Sequence, residues 1–375
     1  MKIVFLCSCL EPGRDGVGDY TRRLAAELIR QGHFSTIVSL NDKYISDKFN
    51  DIQHSEGTDL PVLRLPASLD MKVRLKYAKM YIDDFDPDWL SLQFVIFGFH
   101  RKGLPFRFCN QLSFLGKGRQ WHIMFHELWV GMEVHSSKKH SILGGIQRWL
   151  IKSLISTLNP KIIHTHTNLY QLKLAKLGFT AQHLSLFSNI PKVQNSNSGL
   201  NEVPSFKNSK ALNFIVFGQI FPNAPIEDFI NDLTIYAAEN QIKICLTIIG
   251  RCGSEQDHWV GKWTAAGITV NILGEQPAHM ISKALGDASI GISTTPAALI
   301  EKSGSVAAML EHDLPVICIQ FPWQPKNVKG LKLPPGIMAY QKGNLESLFD
   351  RFDAPAKNTI SIISHKLANA LLNSI

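Results

Sequence analysis

The sequence predicts an α/β protein built from two doubly wound domains in tandem. Short apolar strands alternate with helices, a pattern that favours parallel sheets. The alternation stops once, at residues 188–211, where Asn, Ser, Lys and Pro dominate, and then it restarts. The chain has 375 residues, which is more than one hydrophobic core of ordinary size contains.

The first domain is predicted to span residues 1–187, followed by a linker over 188–211. Its apolar runs predict strands at Lys2–Leu10, Phe34–Leu40, Trp89–Phe94, His122–His126 and Lys161–Thr165. Helical spacing of apolar residues predicts helices at Tyr20–Gln31, Met71–Phe85, Gly144–Leu158 and Leu169–Leu177. Gly32 stands where a glycine often ends a helix, and Asp86-Pro87 is expected to stop the second helix.

The second domain is predicted to span residues 212–356, with a final helix over 357–375 that packs back on the rest. Its predicted strands are Asn213–Gly218, Ile242–Gly250, Thr269–Leu273, Ala288–Ser293 and Pro315–Ile319. Its predicted helices are Pro225–Glu239, His258–Ala266, His279–Leu285 and Gly304–Glu311. Ligands of open parallel sheets bind beyond the carboxyl ends of the strands, so we expect the loops there to form the site.

Composition narrows the class of protein. Hydrophobic residues make up 45% and charged residues 19%, as in ordinary globular proteins. No apolar run is long enough to span a membrane. The six cysteines are scattered without a Cys-x-x-Cys pair, which favours a reduced, cytoplasmic protein and argues against a zinc site.

The positive charge is concentrated in one part of the chain. The net charge is +8, and residues 101–200 contain 13 Lys and Arg against 2 Asp and Glu. Such a surface favours an anionic partner, either a phosphate-bearing acceptor or an anionic membrane face, although it could serve solubility alone. A nucleic acid is not expected as a partner, because no known binding module accompanies the charge.

A glycine motif, Gly16-Val17-Gly18-Asp19-Tyr20, separates the first predicted strand from the first predicted helix. Glycines allow close approach of a ligand to the backbone, and a helix N-terminus attracts anions. The motif is not the dinucleotide fingerprint, because Thr21 stands where a third glycine is required. An ordinary glycine turn is the alternative interpretation.

The motif and its surroundings resemble the start of glycosyltransferase family 4. The following helix ends in Leu28-Ile29-Arg30-Gln31-Gly32-His33, as helices of that family do at this point. The resemblance implies a GT-B fold, with two Rossmann-like domains facing a central cleft. It also implies that Gly16, Gly18 and Asp19 line the junction of donor and acceptor, and that His126 lies close to the donor sugar, unless it is a buried structural histidine.

The second half resembles the donor-binding segments of the same family. Ile248-Ile249-Gly250-Arg251, Leu273-Gly274-Glu275 and Thr294–Pro315 correspond to these segments. The resemblance implies that Gly274 and Glu275 border the nucleotide base and that Glu301 contacts the sugar. Glu301 and His126 are thus the candidate catalytic residues. The residues implied to hold the diphosphate are Arg251, Lys302, Ser303, Gly304 and Ser305. Simple capping of a helix by Ser303 or Ser305 is the alternative.

Three positions depart from the family pattern. Gln219 replaces an Arg, Ala224-Pro225 occupy a region that usually holds a Lys, and Glu311 follows Glu301 by ten residues instead of eight. These departures leave two alternatives to a transferase. One is a non-catalytic GT-B partner or scaffold protein, and the other is a GT-B enzyme that resembles a nucleotide-sugar epimerase.

The resemblance implies sugar transfer from a UDP- or GDP-sugar to a glycan or lipid-linked acceptor, as in polysaccharide biosynthesis, with retention of configuration. No metal and no cofactor are expected. The Asp84-Phe85-Asp86 segment resembles a metal-binding pattern of another transferase fold, but it precedes Pro87 and is interpreted as a solvated helix end. The cysteine pattern favours a cytoplasmic protein, and the basic first domain predicts an additional peripheral contact with the inner face of the membrane.

Overall fold

In a computed structural model, the structure describes residues 1–116, 118–193, 210–350 and 354–374. They form two compact units. Unit 1 contains Met1–Ser185, Pro325–Val328 and Ile360–Ile375, and unit 2 contains Leu186–Gln324 and Lys329–Thr359.

Unit 1 is built on an eight-stranded sheet. Its strands are β1 (Lys2–Cys7), β2 (Phe34–Asp42), β3 (Phe49–Ser55), β4 (Thr58–Pro66), β5 (Trp89–Phe94), β6 (Gln120–Phe125), β7 (Ile162–Thr165) and β8 (Gln182–His183). Its helices are α1 (Gly16–Arg30), α2 (Met71–Phe85), α3 (Ile96–Phe99), α4 (Phe108–Ser113), α5 (Lys138–Leu158), α6 (Asn168–Ala175) and, from the end of the chain, α12 (Ile360–Leu372). The strand order is β3-β4-β2-β1-β5-β6-β7-β8, and only the β3–β4 pair is antiparallel.

Unit 2 is built on a six-stranded, fully parallel sheet. Its strands are β9 (Ala211–Phe217), β10 (Lys243–Ile249), β11 (Thr269–Gly274), β12 (Ile290–Ser293), β13 (Val316–Cys318) and β14 (Ile337–Ala339). Its helices are α7 (Ile226–Asn240), α8 (Gln256–Ala265), α9 (Ala278–Gly286), α10 (Gly304–Glu311) and α11 (Leu345–Phe349), and a 3₁₀ turn covers Ala297–Lys302. The strand order is β11-β10-β9-β12-β13-β14.

Burial explains why the central strands read as apolar runs. Parallel sheets are covered on both faces, so their strands need apolar side chains on both sides. Residues 3–7 of β1 are fully buried, and so are most residues of β5 and β12. The hairpin β3–β4 does not follow this rule, because its first strand is an exposed sheet edge with few apolar residues. The sequence pattern therefore does not predict this hairpin.

The predicted glycine loop before the first helix is wrong. The helix begins at Gly16, not at Tyr20, and β1 ends at Cys7, so the motif forms the first turn of α1. The reason is Asp15, whose carboxylate accepts hydrogen bonds from the backbone N–H groups of Val17 (2.9 Å) and Gly18 (3.2 Å). This is N-capping, which offsets the poor helix propensity of the glycines.

The described ends of the predicted linker are bound to unit 2. The N–H of Ser188 donates to Glu311 Oε2 at 3.0 Å, and Lys192 forms an ion pair with Asp313. Residues 194–209 of the predicted linker lie outside the described residues. At the other end of the chain, α12 packs against α1, where Gln31 Nε2 donates to Ser364 Oγ at 2.6 Å.

Candidate functional site

Each sheet has one point where the chain reverses its direction of travel across the strands. In unit 2 the chain runs from β9 outward to β10 and β11, and then returns to β12 on the other side of β9. In unit 1 it runs from β1 to β2 and the hairpin, and then returns to β5 on the other side of β1. The loops that leave such neighbouring strands diverge, and the crevice between them is the usual ligand site of open α/β sheets.

The carboxyl edge of the unit 2 sheet is held together by its own loops. Glycines with positive φ follow or end three adjacent strands, namely Gly218 (+78°), Gly250 (+91°) and Gly274 (+63°). The N–H of Gly218 donates to the Ile249 carbonyl at 2.9 Å, and the N–H of Gly250 donates to the Gly274 carbonyl at 2.7 Å. The loop after β9 is joined to β12 by Phe221 N–H, which donates to Thr294 Oγ1 at 2.8 Å.

The first turn of α10 lies beside this edge. A Cβ atom added to Gly218 would fall 2.9 Å from Ser305 Oγ, so only glycine allows so close an approach without rearrangement. Ser303 caps the helix and its Oγ accepts from Val306 N–H at 3.4 Å, as the capping alternative predicted. Gly304 faces open space. The N–H groups of Gly304 and Ser305 belong to the first turn, where a helix offers donors to an anion.

Arg251, which the resemblance implies would bind the diphosphate, forms an ion pair with Glu275, another predicted site residue. Its Nε atom lies 2.8 Å from Glu275 Oε2, and the side chains are 54% and 65% exposed. An exposed pair of this kind is weak and easily exchanged for another partner. Glu301 and Lys302 lie at the end of the 3₁₀ turn that leads into Ser303, and both are partly buried.

Two family-pattern positions have structural partners. Gln219, which replaces the family's Arg, donates from Nε2 to the Ile220 carbonyl at 2.8 Å and so supports its own loop. Glu311 accepts from Ser188 N–H and thereby holds the start of unit 2. Both side chains therefore support the structure of unit 2, and neither supplies a positive charge in place of the family's Arg.

In unit 1, the glycine motif organises the loop after β1. A Cβ on Gly18 would overlap the Cys9 carbonyl oxygen, so this glycine lets α1 pack against the chain that leaves β1. Asp19 forms an ion pair with Arg22 and accepts from Gly13 N–H at 3.1 Å. Burial raises the pKa of Asp19, and the Arg22 charge opposes that shift. Among the predicted residues of this motif, Gly16 is the one whose Cβ position is open.

His126, which follows β6, belongs to a buried row of polar side chains. Its Nε2 lies 2.9 Å from Gln93 Oε1, and its Nδ1 lies 3.1 Å from Nε2 of His166. The ring of Tyr20 contacts both imidazoles edge-on. A contact between His126 and a sugar, which the resemblance implies, would therefore require one of these hydrogen bonds to be exchanged.

The partners limit where protons lie in this row. His166 Nδ1 lies 2.8 Å from the Leu184 carbonyl, which only accepts, so His166 donates there. The next bond of the row joins His166 Nε2 to His126 Nδ1, and the Gln93 amide meets His126 at its other ring nitrogen, Nε2.

A second row lies next to the first on the same strands. Ser91 Oγ is 2.8 Å from His122 Nδ1, and His122 Nε2 is 3.0 Å from His164 Nδ1. Gln93 Nε2 donates to Ser91 Oγ at 2.8 Å, which connects the rows. These residues are not among the predicted site residues. The available signal was polar side chains at alternate positions, Ser91 and Gln93 in β5, and His164 and His166 in and just after β7, in strands with many apolar residues.

Within the described residues, no cluster of three or more His, Cys, Asp or Glu side chains is arranged to hold a metal ion. The Asp84-Phe85-Asp86 segment ends α2. Asp86 adopts a left-handed conformation there (φ +48°), and Arg119 forms ion pairs with both Asp83 and Asp86.

No known protein family and no curated protein matches the chain by sequence. Solved structures do match it over their whole length. HepE from Anabaena, in complex with UDP and glucose, has a TM-score of 0.60 and 14% identity, and 100% of each chain is covered. The catalytic domain of starch synthase IV from Arabidopsis thaliana, bound to ADP and acarbose, has a TM-score of 0.57 and 12% identity, with 100% of this chain and 98% of that chain covered.

UDP-GlcNAc 2-epimerase from Methanocaldococcus jannaschii is also similar, with a TM-score of 0.54, 9% identity and 100% of each chain covered. Identities this low show the fold alone. The chain has the GT-B fold with two Rossmann-like domains, and the fold class predicted from sequence is confirmed.

Proposed function

We propose that this chain is a glycosyltransferase that moves a sugar from a UDP- or GDP-sugar to a glycan or lipid-linked acceptor. The sequence resemblance favours a reaction like that of family 4, with retention of configuration and without a metal. In such a reaction the enzyme must stabilise the departing diphosphate, and preorganised donors do so at low reorganisation cost.

One observation carries the proposal: the first turn of α10 lies directly beside Gly218, at the switch point of the unit 2 sheet. A diphosphate there would meet the N–H groups of Gly304 and Ser305 and the Ser305 hydroxyl. The positive end of the helix dipole would add to the attraction. Lys302 directly precedes the capping Ser303, and Arg251 directly follows Gly250, so we expect these two cations to reach the phosphates. Arg251 would leave Glu275 to do so.

The remaining proposed contacts concern the base and the sugar. Gly274 and Glu275, at the end of β11, would border the base. Glu301 would contact the sugar, and Gly16 would lie at the junction of donor and acceptor. His126 would act on the sugar only after it exchanged its bond to Gln93 or His166, so we assign it a positioning role at the end of β6.

The test is calorimetric binding of UDP, GDP, CDP, ADP and dTDP to the full chain, with and without Mg²⁺. We expect one diphosphate to bind without metal. Ser305→Ala should weaken that binding by about tenfold or more, because a hydrogen bond to a charged group contributes about 1.5–3 kcal/mol. Ser347→Ala, a serine on α11 whose hydroxyl donates to the Asn344 carbonyl, is the matched control and should bind normally.

Two results would contradict the proposal. If no diphosphate binds in any condition, the non-catalytic scaffold interpretation replaces it. If binding occurs but Ser305→Ala and Ser347→Ala behave alike, the diphosphate does not occupy the first turn of α10.

A nucleotide-sugar epimerase is the second candidate, favoured by the epimerases among the chain's structural relatives. An epimerase converts its nucleotide sugar without an acceptor. Proton NMR of the donor incubated with the protein alone separates the candidates, since a new sugar epimer that accumulates without free diphosphate supports the epimerase.

A further inference from the structure

The solvent-facing side of α5 is unusually apolar. The side chains of Ile142, Ile146 and Trp149 are 68%, 37% and 60% exposed. At 100° per residue these three positions fall within an arc of about 60°. The opposite side of the helix packs on unit 1 through residues such as Leu150, Ile151 and Leu154, so α5 presents apolar side chains in both directions.

This apolar stripe borders an open groove of about 940 Å³. Ile142 and Ile146 form part of one wall, and Phe97 and Leu104, from the segment after β5, also line the groove. Lys102 and Lys139 are the lysines of its lining. The groove thus combines an apolar floor with ammonium groups.

The walls of the groove are held in place by one buried side chain. Gln147, on α5, is fully buried, and its Oε1 accepts from Val130 N–H at 2.9 Å. Its Nε2 donates to the Gly103 carbonyl at 3.1 Å. Gln147 therefore ties two flanking segments to α5, and the groove is preformed.

The charge around the stripe indicates what covers it. The helix α5 itself contains four Lys and Arg and no Asp or Glu, and Lys102 of the groove adds a further positive charge. A second copy of this chain, docked symmetrically, would place the same basic surface against itself, which is repulsive. An anionic bilayer instead offers phosphates to the lysines and an acyl region to the apolar side chains. Tryptophan is enriched at that boundary.

We propose that α5 and the groove dock on the surface of an anionic lipid bilayer. In this arrangement Ile142, Ile146 and Trp149 enter the headgroup region, and Lys102 and Lys139 contact lipid phosphates. The proposal is independent of the transferase activity, because docking requires neither donor nor acceptor.

Co-sedimentation with vesicles tests it directly. The full chain should bind vesicles of phosphatidylcholine with phosphatidylglycerol, and bind vesicles of phosphatidylcholine alone at least tenfold more weakly. Ile142→Ser with Ile146→Ser should reduce binding at least tenfold. Ile235→Ser, which alters an equally exposed isoleucine (59%) on α7 of unit 2, should not.

Charge and insertion are tested separately. Lys102→Glu with Lys139→Glu should abolish the preference for anionic vesicles, whereas Lys283→Glu on α9 should leave it unchanged. Trp149 is the most exposed of the seven tryptophans, so vesicles should shift the fluorescence of the wild-type chain to the blue. The Trp149→Phe variant should lack this shift and still bind.

The proposal fails if the wild-type chain does not bind anionic vesicles, or if it binds neutral and anionic vesicles equally. It also fails if the Ile142/Ile146 and Ile235 variants bind alike. Sedimentation of the protein without lipid tests whether a second copy of the chain covers this surface instead. If the wild-type chain forms a dimer that only the Ile142/Ile146 variant loses, the surface belongs to a second copy and the membrane proposal fails.

Discussion

Acidification is expected to destabilise unit 1 through the buried histidines His122 and His164. Burial lowers the pKa of His164 to about 4, with a smaller opposing effect from its hydrogen bond to Gln182 and a further lowering by His183. Burial and then the neighbouring His164 hold the pKa of His122 well below its usual range. Both rings are therefore neutral in the folded chain at pH values where the unfolded chain is protonated.

The size of the effect follows from the two pKa values of His164. An ordinary histidine has a pKa of about 6.5, so at about pH 5.5 the unfolded state binds about 0.9 protons more than the folded state at this residue. The free energy of unfolding then falls by about 1.2 kcal/mol per pH unit, and by about 2 kcal/mol between pH 7 and pH 5. This stability is present above the unfolded pKa and is lost as the pH falls. His122 adds to the loss in the same direction.

Urea unfolding at several pH values in this window measures the effect. Fluorine NMR of the chain labelled with 5-fluorotryptophan follows unit 1 through Trp89 and Trp121, and unit 2 through Trp259 and Trp263. His164→Gln should be less stable than wild type at pH 7 but should lose about 1.2 kcal/mol per pH unit less on acidification. His135→Gln removes an exposed histidine and leaves the buried rows intact, so it should keep the wild-type slope. An unchanged slope in both His164→Gln and His122→Gln would refute the reasoning, because the folded pair would then bind protons as readily as the unfolded chain.

Two further predictions concern ion pairs. If Arg251 must leave Glu275 to bind a diphosphate, Glu275→Gln should strengthen diphosphate binding by up to about fivefold, since an exposed pair contributes at most about 1 kcal/mol. Arg251→Ala should weaken the binding. Calorimetry measures both affinities, and unchanged affinity in both variants would exclude Arg251 from the site. Asp42 is fully buried, and it accepts from Arg64 Nε at 2.8 Å and Leu10 N–H at 3.1 Å. Asp42→Asn should therefore lower the free energy of unfolding of unit 1 by about 3 kcal/mol, because it leaves Arg64 partly unpaired; a loss below about 1 kcal/mol in urea unfolding would contradict this.

Much of the fold could be predicted because the periodicity of buried strands and helices is strong. The bounds of α2, β5 and α10 were predicted to the residue. The hairpin β3–β4 could not be predicted, because its edge strand has no apolar alternation. The start of α1 was predicted four residues late, since two glycines argue against a helix and the cap at Asp15 overrides them.

The candidate site was less predictable than the fold, because its contacts join distant parts of the chain. A helical start at Ser303 and Gly304 could be predicted from local sequence, but the contact of Ser305 with Gly218 depends on the order of the strands. The ion pair of Arg251 with Glu275 and the bonds of His126 to Gln93 and His166 are likewise long-range. Sequence indicated which residue types were present, but not which of them already had partners.

The geometry at α10 also bears on the departures from the family pattern. A diphosphate held at the first turn of α10 would be bound chiefly by backbone N–H groups and by hydroxyls, which the strand order and the cap at Ser303 position without any cation. Gln219 in place of an Arg then removes one charge but leaves these donors, and it adds a hydrogen bond that supports the β9 loop. The missing Arg and Lys of the family pattern therefore argue less strongly against a nucleotide site than they do when only the sequence is considered. A loss of the first-turn geometry would be stronger evidence, because the proposed site depends on the donors of that turn.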